Sequence, residues 1–134
     1  MKKEDLGLLF LRIGLGGVFL WFGIDKFFNP VFWTKWIPDW FGAVLPVDVF
    51  TFVYALGVFE TFIGLLVLIG FYTRIAAGLA GVSLFGIIAS WGLNEIMIRD
   101  TGLLFLALGI AVSGPGHWSI ERWLLSQFRK QRKI

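Results

Sequence analysis

The chain has 134 residues, of which 57% are hydrophobic and only 16% charged, and its formal net charge at pH 7 is +3. This balance excludes an ordinary soluble domain, in which about a quarter of the residues are charged, and it indicates an integral membrane protein. The sequence contains no cysteine, which excludes disulfides, iron–sulfur clusters and cysteine-ligated zinc within this chain. The single histidine likewise excludes a bis-histidine haem, and the small positive charge does not indicate nucleic acid.

The first apolar segment runs from about Leu6 to Phe28 and is long enough to cross a bilayer as a helix. Lys2 and Lys3 precede it, as in a signal peptide, but Arg12 interrupts the apolar run and no small-residue cleavage site follows. We therefore expect a retained first transmembrane helix.

The next segment, from Asn29 to Asp48, contains three prolines, which prevent one continuous helix. Trp33, Trp36 and Trp40 recur within it at helix-like spacing. Tryptophan favours the headgroup region, where its ring is apolar and its N–H stays hydrated. We expect a broken amphipathic segment in the membrane interface that covers one mouth of a bundle.

Three further apolar segments follow, at about 49–71, 75–93 and 96–113. Only a few residues separate each from the next, so neighbouring segments should form antiparallel hairpins. Together with the first segment, at about 6–28, they predict an all-α fold. Residues 1–134 then form a single domain built on a bundle of four transmembrane helices.

A final helix is predicted over residues 119–134, because the turn around Pro115 ends the fourth span and Ser119 is a suitable N-cap. Its apolar residues share one face: Ile120, Trp123, Leu124 and Phe128. Its basic residues lie on the other side and at the end: Arg122, Arg129, Lys130, Arg132 and Lys133. This pattern is typical of an interfacial helix drawn to anionic headgroups. For the last five residues, a basic tail that only sets the topology is the open alternative.

The distribution of lysine and arginine predicts the orientation of the bundle. On the side of both termini lie Lys2, Lys3, Arg12, Arg74, Arg122, Arg129, Lys130, Arg132 and Lys133. On the opposite side lie Lys26, Lys35 and Arg99. Because cytoplasmic loops carry the excess of such residues, we expect a multi-pass protein of the plasma membrane with both termini in the cytoplasm.

Glu60 is the only charged residue between Phe50 and Phe71. A carboxylate near the middle of a transmembrane helix costs about 2.5 to 3.5 kcal/mol on insertion scales if it is left unpaired. It must therefore be protonated, paired with a cation, or in contact with a hydrated cavity. We interpret Glu60 as the candidate catalytic residue.

Antiparallel packing should bring further charged residues to the level above Glu60. Asp25 and Lys26 end the first span, and Arg99 and Asp100 lie near the start of the fourth. We interpret these four as ligand-binding residues of a polar pocket with Glu60 as its floor. Alternatively, these charged residues lie in the membrane interface and extend to water. For Glu95, which precedes the fourth span, a position in the pocket and a position in the interface are equally supported.

Arg12 is the other charge inside an apolar span, about 9 Å from the cytoplasmic end of its helix at 1.5 Å per residue. It either extends to the headgroups or reaches Glu60 as a further pocket residue. An Arg12–Glu60 ion pair that only locks two helices together is the structural alternative to a ligand site. No metal site is predicted, because His117 has no second ligand near it.

Several short motifs together resemble the DoxX family. They are Leu11-Arg12-Ile13, the run from Gly17 to Phe27, Glu60-x-x-x-Gly64-Leu65-Leu66, the run from Gly70 to Arg74, and Gly114-Pro115-Gly116. The resemblance implies a four-helix bundle. The charged and polar positions of the family correspond to Arg12, Lys26, Glu60, Thr73 and Arg74. Phe22 lies near the position where many members have a histidine, which argues against a proton relay there.

The resemblance also implies a class of function, because DoxX-like proteins include membrane subunits of thiosulfate:quinone oxidoreductase and partners in bacterial redox complexes. We therefore expect a redox-linked membrane subunit that binds a quinone or another amphipathic ligand around Glu60, with no redox cofactor of its own. A non-enzymatic assembly or chaperone-like subunit and a small transporter stay open. The expected partners are the lipid bilayer, other membrane or redox subunits, and further copies of the chain.

Overall fold

The computed structural model describes residues 2–132, which form helices joined by turns and short connections and contain no strand. In chain order the helices are α1 (Lys3–Phe28), α2 (Pro30–Thr34), α3 (Asp39–Val44), α4 (Val49–Ile69), α5 (Thr73–Trp91), α6 (Glu95–Ser113) and α7 (Ile120–Gln131). Helices α1, α4, α5 and α6 are each long and apolar enough to cross a membrane. The predicted all-α bundle of four transmembrane helices is therefore confirmed. Residues 133–134 of the predicted final helix, which include Lys133, lie outside the described residues.

Local chemistry sets the ends of the central helices. The Asp48 carboxylate accepts hydrogen bonds from the backbone N–H and the hydroxyl of Thr51, which caps the start of α4. Gly70 ends α4 in the left-handed conformation, at φ 73°. Because this turn is tight, α4 ends at Ile69 and α5 begins at Thr73. Each boundary lies two residues before the one that the apolar pattern predicts. Asn94 caps α6 by accepting from the N–H groups of Ile96 and Met97.

Helices α1 and α4 form the most extensive helix pair, and glycines line their contact. A Cβ atom built on Gly23 would lie 2.5 Å from the Thr61 backbone nitrogen, and one on Gly64 would lie 2.6 Å from that of Leu20. Gly16 and Gly57 are similarly close to the opposite helix. The two backbones therefore approach to a distance that only glycine permits at these positions.

Helices α5 and α6 form the second close pair, and small residues again allow the approach. Ala76, Ala77 and Ala80 of α5 are fully buried, as are Ala107 and Ile110 of α6. Residues of the first pair complete the core: Leu15, Phe19, Ile63 and Val67. The bundle is thus two tightly packed helix pairs that share one apolar core.

The segment between α1 and α4 is broken, as its prolines predict. Pro30 is the first residue of α2, where a missing N–H costs nothing, and Pro38 immediately precedes α3. Helix α2 packs against α1 and α4. The indole N–H of Trp91, at the end of α5, donates to the Trp36 carbonyl at 2.9 Å. The segment therefore covers the end of the bundle at which α1 ends and α4 begins.

Candidate ligand-binding site

Lys26 and Glu60 form a buried ion pair between α1 and α4. The Lys26 Nζ lies 2.6 Å from the Glu60 Oε2, and the two residues are only 4% and 6% exposed. The same ammonium donates to the Phe22 carbonyl at 3.4 Å and lies 3.7 Å from the centroid of the Trp33 ring. Both charges of the pair are therefore compensated within the apolar bundle.

The direction of the Lys26 side chain follows from helix geometry. Cα–Cβ bonds of an α-helix tilt toward its N-terminus, so a side chain in the last turn of α1 points back along the helix. The absence of a side chain on Gly57 leaves room for it, because a Cβ there would lie 3.2 Å from the Lys26 Cβ. Lys26 therefore reaches into the bundle toward Glu60, although it lies near the end of its span.

The ion pair lines a cavity of about 330 Å³ between the helices and the covering segment. Pockets for small molecules have volumes of about 300 to 1,000 Å³. Most of the wall is apolar, and much of it is aromatic: Phe22, Phe32, Trp33, Trp36 and Trp91. The charged residues of the wall are Asp25, Lys26, Glu60, Arg99 and Asp100. The structure thus brings together five of the six residues that the sequence nominated.

Asp25 holds the covering segment over the cavity. Its carboxylate accepts from the Trp33 indole N–H at 2.8 Å and from the Asn29 amide at 2.6 Å. Both of its oxygens are therefore occupied by groups of the same protein. In this arrangement Asp25 positions Trp33, whose ring in turn faces the Lys26 ammonium.

Arg99 and Asp100 form a second ion pair at the cavity, at the start of α6. The Arg99 Nη2 lies 3.0 Å from the Asp100 Oδ1, and the Arg99 side chain is 61% exposed whereas that of Asp100 is 12% exposed. The guanidinium bonds a single carboxylate oxygen through its Nε and Nη2 atoms. The Arg99 Nη1 makes no hydrogen bond to another residue between positions 2 and 132. Glu95 is exposed and does not line the cavity.

Arg12 lies apart from this cavity, and the Arg12–Glu60 pair is not formed. Its guanidinium is buried and donates to the carbonyls of Val67 at 2.9 Å and Leu68 at 2.7 Å, at the end of α4. It also donates to the carbonyls of Pro115 at 2.8 Å and Trp118 at 2.5 Å. The C-terminal end of a helix carries partial negative charge, which stabilises a cation without a carboxylate. Arg12 therefore joins α1, α4 and the turn before α7.

Sequence reasoning did not identify Trp91 as part of the site. It also placed Trp33 and Trp36 only in an interfacial cover, whereas both form part of the cavity wall. The signal available in the sequence was an aromatic residue near the end of a predicted span, immediately before Gly92. Among residues 2–132, no group of three or more histidine and acidic side chains is arranged to hold a metal ion.

Comparison with known proteins identifies the family of this membrane protein. The DoxX family model matches residues 7–92, which include most of α1, all of α4 and α5, and the Lys26–Glu60 pair. An uncharacterized membrane protein of Mycobacterium tuberculosis, Rv3486, is 31% identical over 132 positions, covering 85% of this chain and 78% of the relative. No solved structure matches the chain. The protein therefore belongs to the DoxX family.

Proposed function

We propose that this DoxX protein binds an amphipathic molecule with a flat polar head group, and that quinones are its ligand class. One observation carries the proposal: a buried ion pair lies on the wall of a largely apolar cavity between transmembrane helices. The aromatic wall suits a planar ring, since stacked and edge-on contacts of rings are favourable. The apolar residues between the helices suit an isoprenoid or alkyl tail.

The two charged pairs would contact opposite parts of the head group. The Lys26 ammonium has three N–H donors and uses one strongly, with Glu60, so a quinone carbonyl oxygen can accept another. Arg99 offers free donors at the other wall of the cavity. Reduction of a quinone to a quinol takes up two electrons and two protons. A partner redox subunit would supply the electrons. The Lys26 ammonium would give protons to the ligand oxygens one at a time, and water would reprotonate Lys26 through the Glu60 carboxylate.

Binding of a short-chain ubiquinone to the purified protein in lipid nanodiscs tests the proposal. Lys26→Met removes the ammonium but keeps an unbranched side chain, and we expect at least tenfold weaker binding, equivalent to about 1.4 kcal/mol. Lys35→Met is the matched control, because Lys35 is exposed and does not line the cavity. Its affinity should equal that of the wild type. Failure of the folded wild-type protein to bind short-chain ubiquinone or menaquinone would refute the proposal.

The second candidate is a non-enzymatic assembly subunit in which the ion pair only joins α1 to α4. The burial of both charges favours it, because breaking a buried pair costs about 3 to 5 kcal/mol whichever partner is removed. Glu60→Gln distinguishes the two candidates. If the cavity is a ligand site, the Glu60→Gln protein that remains folded should bind quinone more weakly than the wild type. An assembly role predicts lower thermal stability and loss of a stoichiometric partner from native membranes, with no quinone binding by any variant.

The cavity would open toward the outer side of the plasma membrane if both termini are cytoplasmic, as the charge distribution predicts. The redox partner would then meet the bundle at the end formed by α2, α3 and the start of α6. Further copies of the chain are an alternative partner at this end.

A further inference from the structure

The hydrogen bonds that join helix α7 to the bundle, among the described residues, lie at its start. The Glu121 backbone N–H donates to the Gly70 carbonyl at 3.1 Å, and the Glu121 carboxylate accepts from the Thr73 N–H at 3.4 Å. Arg12 binds the Trp118 carbonyl just before the helix. Because Gly70 ends α4 and Thr73 begins α5, these bonds place the start of α7 at the level where two transmembrane helices end.

Beyond this attachment, α7 leaves most of its apolar side chains exposed, and Leu124 is half-buried. None of its described residues is buried, and Trp123 and Phe128 are 59% and 64% exposed. The helix has few contacts with the bundle helices in the part of the chain that the structure describes. The exposed apolar face therefore begins beside the residues at which α4 ends and α5 begins.

The opposite face of α7 is basic. Arg122 and Arg129 lie within about 20° of each other around the helix axis, at 100° per residue, on the side away from Ile120 and Leu124. Lys130 lies beside Trp123, at the edge of the apolar face. Other exposed cations lie at the same end of the bundle: Lys2, Lys3 and Arg74. Three acidic residues lie at the other end of the bundle: Asp39 in α3, Asp48 before α4 and Glu95 at the start of α6. Glu4, Asp5 and Glu121 also lie at the end of α7, but the described cations there outnumber them, so this end carries net positive charge.

We propose that α7 lies in the surface of a leaflet that contains anionic phospholipid. Its apolar face enters the boundary between headgroups and acyl chains, while its arginines and lysines contact lipid phosphates. Lipid is favoured over a soluble protein partner because the bonds to Gly70 and Thr73 hold the start of this face beside the ends of two apolar transmembrane helices. This inference concerns the end of the bundle away from the cavity and does not depend on ligand binding.

Site-directed spin labelling of the full-length protein in nanodiscs tests the proposal, and the sequence contains no native cysteine to interfere. One label replaces Phe128 on the apolar face and another replaces Ser126 on the polar face. In discs of phosphatidylcholine with phosphatidylglycerol, we expect the label at 128 to be accessible to oxygen and protected from a water-soluble nickel complex. The label at 126 should show the reverse.

The charge requirement is tested with the same label at 128. In discs of phosphatidylcholine alone, or with Arg122, Arg129 and Lys130 all changed to Gln, we expect the nickel complex to reach the label at least threefold more effectively. Lys35→Gln, at the other end of the bundle, is the control and should change nothing. Equal nickel accessibility in both lipids and in the triple variant would overturn the proposal. Protection that requires added membrane extract would indicate a protein partner and would also overturn it.

Discussion

At the scale of single residues, the protein uses two different ways to keep a charge inside an apolar bundle. Glu60 is neutralised by the opposite charge of Lys26 at 2.6 Å. Arg12 has no carboxylate partner in the described part of the chain and is held by four backbone carbonyls. The first arrangement leaves both charged groups on the wall of a cavity, whereas the second uses the guanidinium donors for attachment. We therefore assign ligand contact to Lys26 and a structural role to Arg12.

Arg12→Lys should destabilise the protein although it preserves the charge. A lysine ammonium has three donors and cannot reproduce the fork that bonds carbonyls on two sides at once. The loss of one or two charge-assisted hydrogen bonds in a buried site should cost about 2 to 4 kcal/mol. Thermal unfolding in detergent measures the effect. Arg122→Lys, at an exposed position, is the control, and equal melting temperatures of the two variants would contradict the structural role of Arg12.

The sequence identified the charged residues of the site but not the pairing between them. A charge in an apolar span is conspicuous, so Glu60, Lys26 and Arg12 were found directly. Which cation meets Glu60 depends on the direction of the Lys26 side chain and on the space above Gly57, and neither can be read from spacing along the chain. The carbonyls that bind Arg12 come from the ends of two segments more than 50 residues away, at Val67 and Pro115.

At the scale of elements, the glycines of α1 divide into two groups with different surroundings. Gly16 and Gly23 contact α4 closely, whereas Gly7, Gly14 and Gly17 have open space where a Cβ would lie. Composition alone predicts close approach at all of them, because their spacing does not specify which face meets the partner helix. The contact of α1 with α4 also positions Lys26 beside Glu60.

Gly23→Ala should disrupt the α1–α4 contact, whereas Gly17→Ala should not. A methyl group at position 23 would overlap the Thr61 backbone at 2.5 Å, so the helices must separate, at a cost of about 1 to 3 kcal/mol. At position 17 the same change adds helix propensity in open space. Melting temperatures of the two single variants, measured side by side, provide the comparison. A Gly23→Ala protein as stable as Gly17→Ala would show that the two helices do not pack this closely.

The cap of α4 predicts a dependence of stability on pH. Hydrogen bonds from the Thr51 hydroxyl and backbone N–H lower the pKa of Asp48 below its usual value. A lowered pKa in the folded state gives stability that is present above the unfolded pKa, about 3.9, and is lost as pH falls through the folded value. We expect the melting temperature to fall below about pH 4. In Asp48→Asn, which can still cap but does not titrate, this part of the fall should be absent.

Thr51→Val provides a second measurement on the same cap. It removes the hydroxyl donor and leaves the backbone N–H in place, so the pH dependence due to Asp48 should become smaller without disappearing. If the melting curves of wild type, Asp48→Asn and Thr51→Val vary with pH in parallel, the cap does not contribute to acid sensitivity.

At the scale of the whole molecule, the two ends of the bundle differ in chemistry. One end carries the cavity, the covering segment and most acidic residues, and the other carries α7 and most exposed cations. Hydropathy alone predicted the four long helices, because about 20 apolar residues are needed to cross a bilayer and few other patterns satisfy that length. The cavity could not be predicted in the same way. The cavity depends on how the segment from α2 to α3 folds over the ends of the long helices. The hydrogen bond between Trp36 and Trp91 holds this segment in place, and it joins residues that are 55 positions apart in the sequence.

The charge difference between the two ends predicts the topology, with both termini and α7 in the cytoplasm. Single cysteines can be introduced cleanly because the sequence has none. In intact cells, a membrane-impermeant maleimide should label Lys35→Cys, in the exposed segment beside the cavity, but should not label Ser126→Cys in α7. After the membrane is permeabilised, both positions should react, which shows that each thiol is accessible. Labelling of position 126 but not 35 in intact cells would reverse the orientation and would place the cavity at the cytoplasmic side.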